Sequence, residues 1–342
     1  MMHRKKFIAN ATGLTAGLLL PVRKLWAEES DPAVTYRKPP YLKPGDTIGI
    51  TSPAGFTTPE NMKSALEVIE SWGFKIKIGD TIGKRDFSFG GTDDERLKDL
   101  QQMLDDPQIK AIMSARGGYG VVRIIDRLNW TKFKQHPKWI IGFSDITVLH
   151  SHIHRHCHVA SIHSKMTNSF PDFWINAEPL QRETITSIQD VLVGKKMHYT
   201  ADAHMQNRKG EAEGILVGGN LKLLESMAGT ASDINTAGKI LFVEDTGEYL
   251  YSIDRMFWNL KRTGKLSHLK GLIVGGFRIK ADDPGEEFGR TLQDIVLEKV
   301  KSYTYPVCFD FPVGHQRANY AYKLGVKHHL SVKTEEVILK EI

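Results

Sequence analysis

Apolar and polar positions along the chain fall into a repeating cadence of short β-rich runs and helix-spaced stretches. Thr47–Thr51 is a β-rich run that ends at Ser52-Pro53-Ala54-Gly55. Asn61–Trp72 follows with helical spacing, placing Ala65, Val68, Ile69 and Trp72 on one face. Lys75–Ile78 is a second strand, and Asp93–Leu104 a second helix with Leu97, Leu100, Met103 and Leu104 inward. Ile109–Ser114 is a third strand, followed by Arg116-Gly117-Gly118-Tyr119-Gly120 and a helix over Val121–Leu128. Trp139–Phe143 is a fourth strand that runs into Ser144-Asp145 and another apolar helix. Strands and helices alternating in this way predict βαβ units and a largely parallel sheet. Functional loops in such sheets gather at the carboxyl ends of the strands. The loops so placed are Ser52–Gly55, Arg116–Gly120 and Phe143–Asp145.

The pattern then loosens. Residues 166–210 carry Pro171, Pro179 and a polar stretch over 201–210, and read as a helical linker between domains at 38–165 and 211–342. The second domain shows strand-like runs at Gly214–Val217, Lys239–Glu244 and Leu272–Gly276, helical spacing at Asn220–Ala228 and Ile253–Lys261, and two or three strands over Tyr322–Ile342. It is expected to be smaller and β-rich, with a barrel-like sheet.

Residues 1–27 change the reading of charge and location. Arg4-Lys5-Lys6 precede the apolar run Phe7–Val22, and Leu25-Trp26-Ala27 offers a small residue for cleavage, the layout of a signal peptide. The start resembles a twin-arginine export signal and departs from it at Lys5. An uncleaved anchor is the other reading and would be the chain's sole membrane contact. The segment holds five Lys/Arg and no acid, so its removal takes the net charge from +6 to +1. A nearly neutral mature chain gives no electrostatic case for nucleic acid. With 41% apolar and 25% charged residues, disorder and a coiled coil are both poor readings. Cys157 and Cys308 are expected to be free, buried thiols.

Ser144, between a strand and a helix, sits where a nucleophile elbow would present a hydroxyl. Gly142-Phe143-Ser144-Asp145-Ile146 keeps the first glycine of that pattern and lacks the second, and the same serine would equally serve as a helix N-cap. A nucleophilic serine needs a base and a carboxylate to orient it. His315, in Phe311-Pro312-Val313-Gly314-His315, lies in a loop shaped to present an imidazole, though a surface histidine would fit there too. Glu244-Asp245 closes an apolar run, so one carboxylate should project at a strand end, unless it merely starts a helix. The amide of Asp145 is a natural oxyanion donor, and Gly117-Gly118 supplies backbone for a second. Arg116 would suit a substrate carboxylate or a structural ion pair. His150, His152, His154, His156, His158 and His163 form the rival constellation, with i,i+4 spacings used for zinc. HExxH is absent, and histidines spread around a helix cannot all face one ion, so no metal is assigned and the cluster is left without a role.

Taken together, the motifs resemble those of the LD-carboxypeptidases, which include the microcin-immunity-type peptidases. The matching stretches are Lys43-Pro44-Gly45-Asp46, Ser52-Pro53-Ala54-Gly55, Gly91-Thr92-Asp93-Asp94-Glu95-Arg96, Ala115–Gly120, Ile141–Thr147, Glu213–Leu221, Phe242-Val243-Glu244-Asp245 and Val313-Gly314-His315. The resemblance implies a flavodoxin-like N-terminal domain, a β-rich C-terminal domain and a homodimer. It implies a Ser144 nucleophile with Glu244 and His315, oxyanion donors at Gly118 and Asp145, and no cofactor or metal. The activity it implies is hydrolysis of the L,D bond between meso-diaminopimelate and terminal D-alanine in a murein tetrapeptide. Many members act in the cytoplasm, whereas the N-terminus here points to export, with a periplasmic muropeptide as substrate. The alternatives are the same triad acting on a microcin-like peptidyl nucleotide or another amide, and a non-catalytic, His-rich metal-binding protein.

Overall fold

The computed structural model describes residues 35–342; the expected signal segment lies outside them. The first half builds β1 (Thr47–Thr51), α1 (Lys63–Ser71), β2 (Lys75–Ile78), α2 (Asp93–Asp105), β3 (Ile109–Ser114), α3 (Thr131–Gln135), β4 (Trp139–Gly142), α4 (Thr147–His156) and β5 (Ser161–His163). The second adds α5 (Pro179–Leu192), β6 (His198–Asp202), β7 (Gly210–Asn220), α6 (Leu221–Ser226), β8 (Ile240–Glu248), α7 (Leu250–Arg262), β9 (Gly271–Ile279), α8 (Leu292–Lys299) and β10 (Val307–Cys308). Three strands close the chain: β11 (Tyr322–Leu324), β12 (Lys327–Val332) and β13 (Glu336–Glu341).

The first sheet has the order β11-β5-β4-β3-β1-β2. All neighbours are parallel except β11, which is antiparallel to β5. Its 2-1-3-4-5 core is the flavodoxin order, in which the chain leaves β1 for one side and β3 for the other. The crevice this reversal opens lies at the carboxyl ends of β1 and β3. There the loops 52–55 and 116–120 meet, joined by Gly55 N–H donating to Gly117 O at 2.9 Å. β1, β3 and β4 are buried along nearly their whole length, as strands covered on both faces must be.

The second sheet runs β10-β9-β8-β7-β12-β13-β6. Strand β7 does double duty. Residues 210–215 pair antiparallel with β12, and residues 216–220 pair parallel with β8. The two halves share their apolar cores. One core unites Ile112, Ile140 and Leu149 with Val217, Leu241 and Val274; another unites Ile48, Ile50 and Ile141 with Phe242, Ile273 and Leu330.

Three expectations change. Val121–Leu128 forms two 3-10 turns, Val121–Arg123 and Ile125–Arg127, entered from Gly120 at φ 145° with the Val121 N–H held by Asp145. The linker contributes a strand, β6, which pairs with β13 and forms an edge of the second sheet. β11 leaves the C-terminal run to join the first sheet. Both cysteines are free and buried, with burial pushing the Cys157 thiol up to about 11 and Cys308 higher.

Candidate active site

Ser144 follows β4 with φ 60°, in the left-handed region that a side chain rarely occupies. Such strain persists where surrounding structure imposes it, and it is the geometry that lifts a residue off a strand end. Gly142, at φ 157°, allows Ile146 to close under the turn, since a Cβ there would meet the Ile146 side chain at 2.8 Å. Gly117 faces the serine directly. A Cβ on it would lie 3.0 Å from Ser144 Cβ, 3.2 Å from Ser144 Oγ and 3.3 Å from Met166 Cε. The glycine therefore brings bare backbone against the hydroxyl.

Two buried charged groups hold that backbone. Asp145, 1% exposed, accepts the Val121 N–H at 2.8 Å and faces the Gly120 amide. Burial pushes its carboxyl up to about 6, partly offset by these donors and by the charge of Arg96. Arg96 is wholly buried. Its guanidinium donates to Pro53 O at 2.6 Å, Gly120 O at 2.9 Å and Gly91 O at 3.2 Å, and pairs with Asp93. One side chain thus ties the loops after β1 and β3 to the start of α2. Sequence reasoning missed this role. The signal was present, because Arg96, Leu100 and Met103 share one helical stripe.

Glu244 is fully buried near the end of the parallel run of β8, and His315 Nδ1 lies 2.5 Å from its Oε2. The His315 backbone N–H donates to the same oxygen at 3.2 Å. A neutral imidazole that gives its Nδ1 proton to a carboxylate presents Nε2 as an acceptor. Gly314, at φ +95°, permits the approach, since a Cβ there would stand 2.2 Å from Glu244 Cβ. The neighbouring Asp245 turns the other way, binding Asn220 Nδ2 at 2.9 Å and the Lys222 N–H at 3.0 Å at the start of α6. The Phe143 ring, one residue before Ser144, lies 5.0 Å from the His315 ring between centroids. So Glu244 and His315 are joined by a hydrogen bond, and the ring of Phe143, the residue before Ser144, packs against His315. Among the described residues, the Ser144 hydroxyl makes no hydrogen bond to the imidazole.

Arg116 is exposed. It donates to Phe56 O at 3.2 Å, lies over the Phe56 ring, and has no carboxylate partner among the described residues. The dense histidines disperse to separate partners: His150 to Gly142 O at 2.9 Å, His152 to Ser232 at 2.9 Å, His154 to Ser161 at 3.2 Å and His156 to Ala231 O at 2.6 Å. Among the described residues, no group of three His, Cys, Asp or Glu side chains is arranged to hold a metal ion.

Comparison with known proteins gives this arrangement a family. Residues 48–164 match the LD-carboxypeptidase N-terminal domain, and residues 213–330 match the LD-carboxypeptidase C-terminal domain. The chain is 33% identical over 305 residues to the probable murein peptide carboxypeptidase of Bacillus subtilis, spanning 89% of this chain and 94% of the relative. It is 31% identical over 282 residues to the murein tetrapeptide carboxypeptidase of Pseudomonas aeruginosa, spanning 81% and 91%. Among solved structures it is similar to a muramoyltetrapeptide carboxypeptidase from Oxalobacter formigenes, with a TM-score of 0.75, 26% identity, and 86% and 98% of the two chains covered. With both domains matched in order and nearly the full length aligned, the chain belongs to the LD-carboxypeptidase family of serine peptidases.

Proposed function

We propose that the protein releases terminal D-alanine from peptidoglycan tetrapeptides by cutting the L,D bond that follows meso-diaminopimelate, with Ser144, His315 and Glu244 as its triad. The observation that carries the proposal is the bond between His315 Nδ1 and the buried Glu244, with the Phe143 ring on His315 and the residue after it, Ser144, on a strained elbow. The names of the relatives favour the murein peptide as substrate. In the mechanism, His315 Nε2 takes the Ser144 proton as Oγ attacks the penultimate carbonyl. Glu244 fixes the imidazole and stabilises the imidazolium. The backbone amides of Gly118 and Asp145 hold the oxyanion, each such donor being worth roughly 3 kcal/mol. The imidazolium then protonates the leaving D-alanine, and water, deprotonated by the same base, hydrolyses the acyl-enzyme. Arg116, exposed near the glycine loop, is assigned to a substrate carboxylate. Export through residues 1–27 would bring the enzyme, as a homodimer, to muropeptides outside the cytoplasm.

The deciding experiment is mass spectrometry of murein tetrapeptide incubated with the protein and with Ser144→Ala. The wild type removes one D-alanine and the variant none. Activity in both would remove Ser144 from the nucleophile's role. Inertness in both would turn attention to acyl-adenylates as substrates.

A further inference from the structure

His163 and Asn319 are buried polar residues with no part in the chemistry above, yet both touch what holds His315. Asn319 is 1% exposed and His163 is fully buried. Asn319 Oδ1 accepts the Gly314 N–H at 2.9 Å and lies 3.3 Å from His163 Nε2. The backbone N–H of Gly314 can only donate, so the atom facing it must be the amide oxygen. That oxygen cannot donate to His163, so His163 carries its proton on Nε2. Burial holds His163 well below its ordinary histidine range, which keeps it neutral with that single N–H.

A second route runs through the rings. His163 packs edge-on against Phe143 at 5.7 Å and against Phe242 at 5.0 Å, and Phe143 is the ring that lies against His315. Phe242 precedes Glu244 by two residues on β8. The residue at 163 therefore meets the neighbours of all three proposed catalytic groups. Among the described residues, His163 Nδ1, Asn319 Nδ2 and Glu244 Oε1 are also buried without hydrogen-bond partners in this small region. Unpaired buried polar atoms are costly, and where a native fold tolerates several together, a functional reason is the first to test.

We infer that Asn319, oriented by the Nε2–H of His163, is a positioning residue that fixes the Gly314–His315 turn against Glu244. The inference rests on the proposed triad. It assigns the pair no contact with substrate. Loss of either should slow the chemical step while leaving substrate affinity in place.

The test measures D-alanine release together with labelling of Ser144 by a fluorophosphonate. Labelling joins Oγ to phosphorus, expels fluoride and passes the hydroxyl proton to His315, so it needs the base and no peptide. Asn319→Ala and His163→Leu should each lower kcat and the labelling rate about tenfold to a hundredfold, as small misplacements of a catalytic group do. KM should stay within about threefold of wild type, because the lost interaction acts only on the reacting geometry. His163→Gln offers an amide donor near the position of Nε2 and should recover most of the rate. A raised KM with unchanged kcat, labelling at the wild-type rate, or equal loss in His163→Gln and His163→Leu would each overturn the inference. Should Asn319→Ala fail to fold by thermal unfolding, the two His163 variants carry the test. A wild type that labels but releases no D-alanine would sink the substrate assignment and leave this one standing on labelling.

Discussion

At the scale of single residues, the site depends on places where a side chain is forbidden. Gly314 combines a φ of +95° with a position where a Cβ would penetrate Glu244. Gly314→Ala should therefore cost at least about 2 kcal/mol of stability, from strain and overpacking together. It should also abolish the proposed D-alanine release, because the turn relieves the clash by carrying His315 off Glu244. Gly229 supplies the control: its φ is +80°, but among the described residues nothing lies within 4 Å of where a Cβ would stand. Gly229→Ala should lose about 1 kcal/mol and no activity, the cost of left-handed backbone alone. Urea unfolding midpoints read beside the release rate separate the two. Equal effects at both sites would mean that backbone strain, not the contact with Glu244, governs the turn. The proposed groups were named from their places in the chain, since Ser144, Glu244 and His315 each stand at a strand end or in a shaped loop, and the structure joins His315 to Glu244. Local pattern alone left open which of Glu244 and Asp245 would face the histidine, and only the family resemblance named Glu244, because the difference rests on Asn220 and the Lys222 N–H claiming Asp245.

At the scale of elements, Arg96 decides whether the loops after β1 and β3 stay together. Replacing it with Met would leave the carbonyls of Pro53, Gly91 and Gly120 without its donors, and no other residue on α2 reaches all three. Asp93 would keep a partner in Arg123, whose Nη2 lies 2.7 Å away. Arg96→Met should destabilise by about 3–5 kcal/mol, the usual cost of breaking a buried charged network. Arg96→Lys should recover only part of this, because one ammonium cannot reproduce a planar fork of donors. Calorimetry on the two variants checks the order. A methionine variant as stable as wild type would show that the loops are held by Asp145 and the glycine backbone alone. Elements of this kind were read well where periodicity was strong: β1, β2 and β3 begin and end where the apolar runs do. They were read poorly where long-range pairing overrode local pattern. The three-residue β5 lies beside the histidine-rich stretch and exists because β4 and β11 flank it. Strand β6 sits in polar sequence and is paid for by β13.

At the scale of the whole molecule, burial sets a balance of titrating groups that determines how stability follows pH. Burial pushes His150, His152 and His328 down to about 4, His154 to about 3, and His163 well down also. The unfolded chain protonates these histidines near pH 6.5 while the native state does not, so each withdraws stability as pH falls from about 6.5 toward 4. Asp145 and Asp245 act in the opposite direction. Their carboxyls are pushed up to about 6, so the native state holds protons that the unfolded chain has released, and each withdraws stability as pH rises from about 4 to 6. Five histidines outweigh two carboxyls. Between about pH 5 and 6.5 unfolding should take up roughly two to three protons, so stability should rise with pH by on the order of 3 kcal/mol per unit and flatten near neutrality. Urea midpoints at intervals across that window measure the slope. Replacing His150 and His154 together with glutamine should shallow it, and Asp145→Asn should steepen it. A midpoint that falls as pH rises from about 5 to 6.5 would mean that the carboxyls dominate, and the dense histidines on α4 would then have no part in the acid limit of this fold.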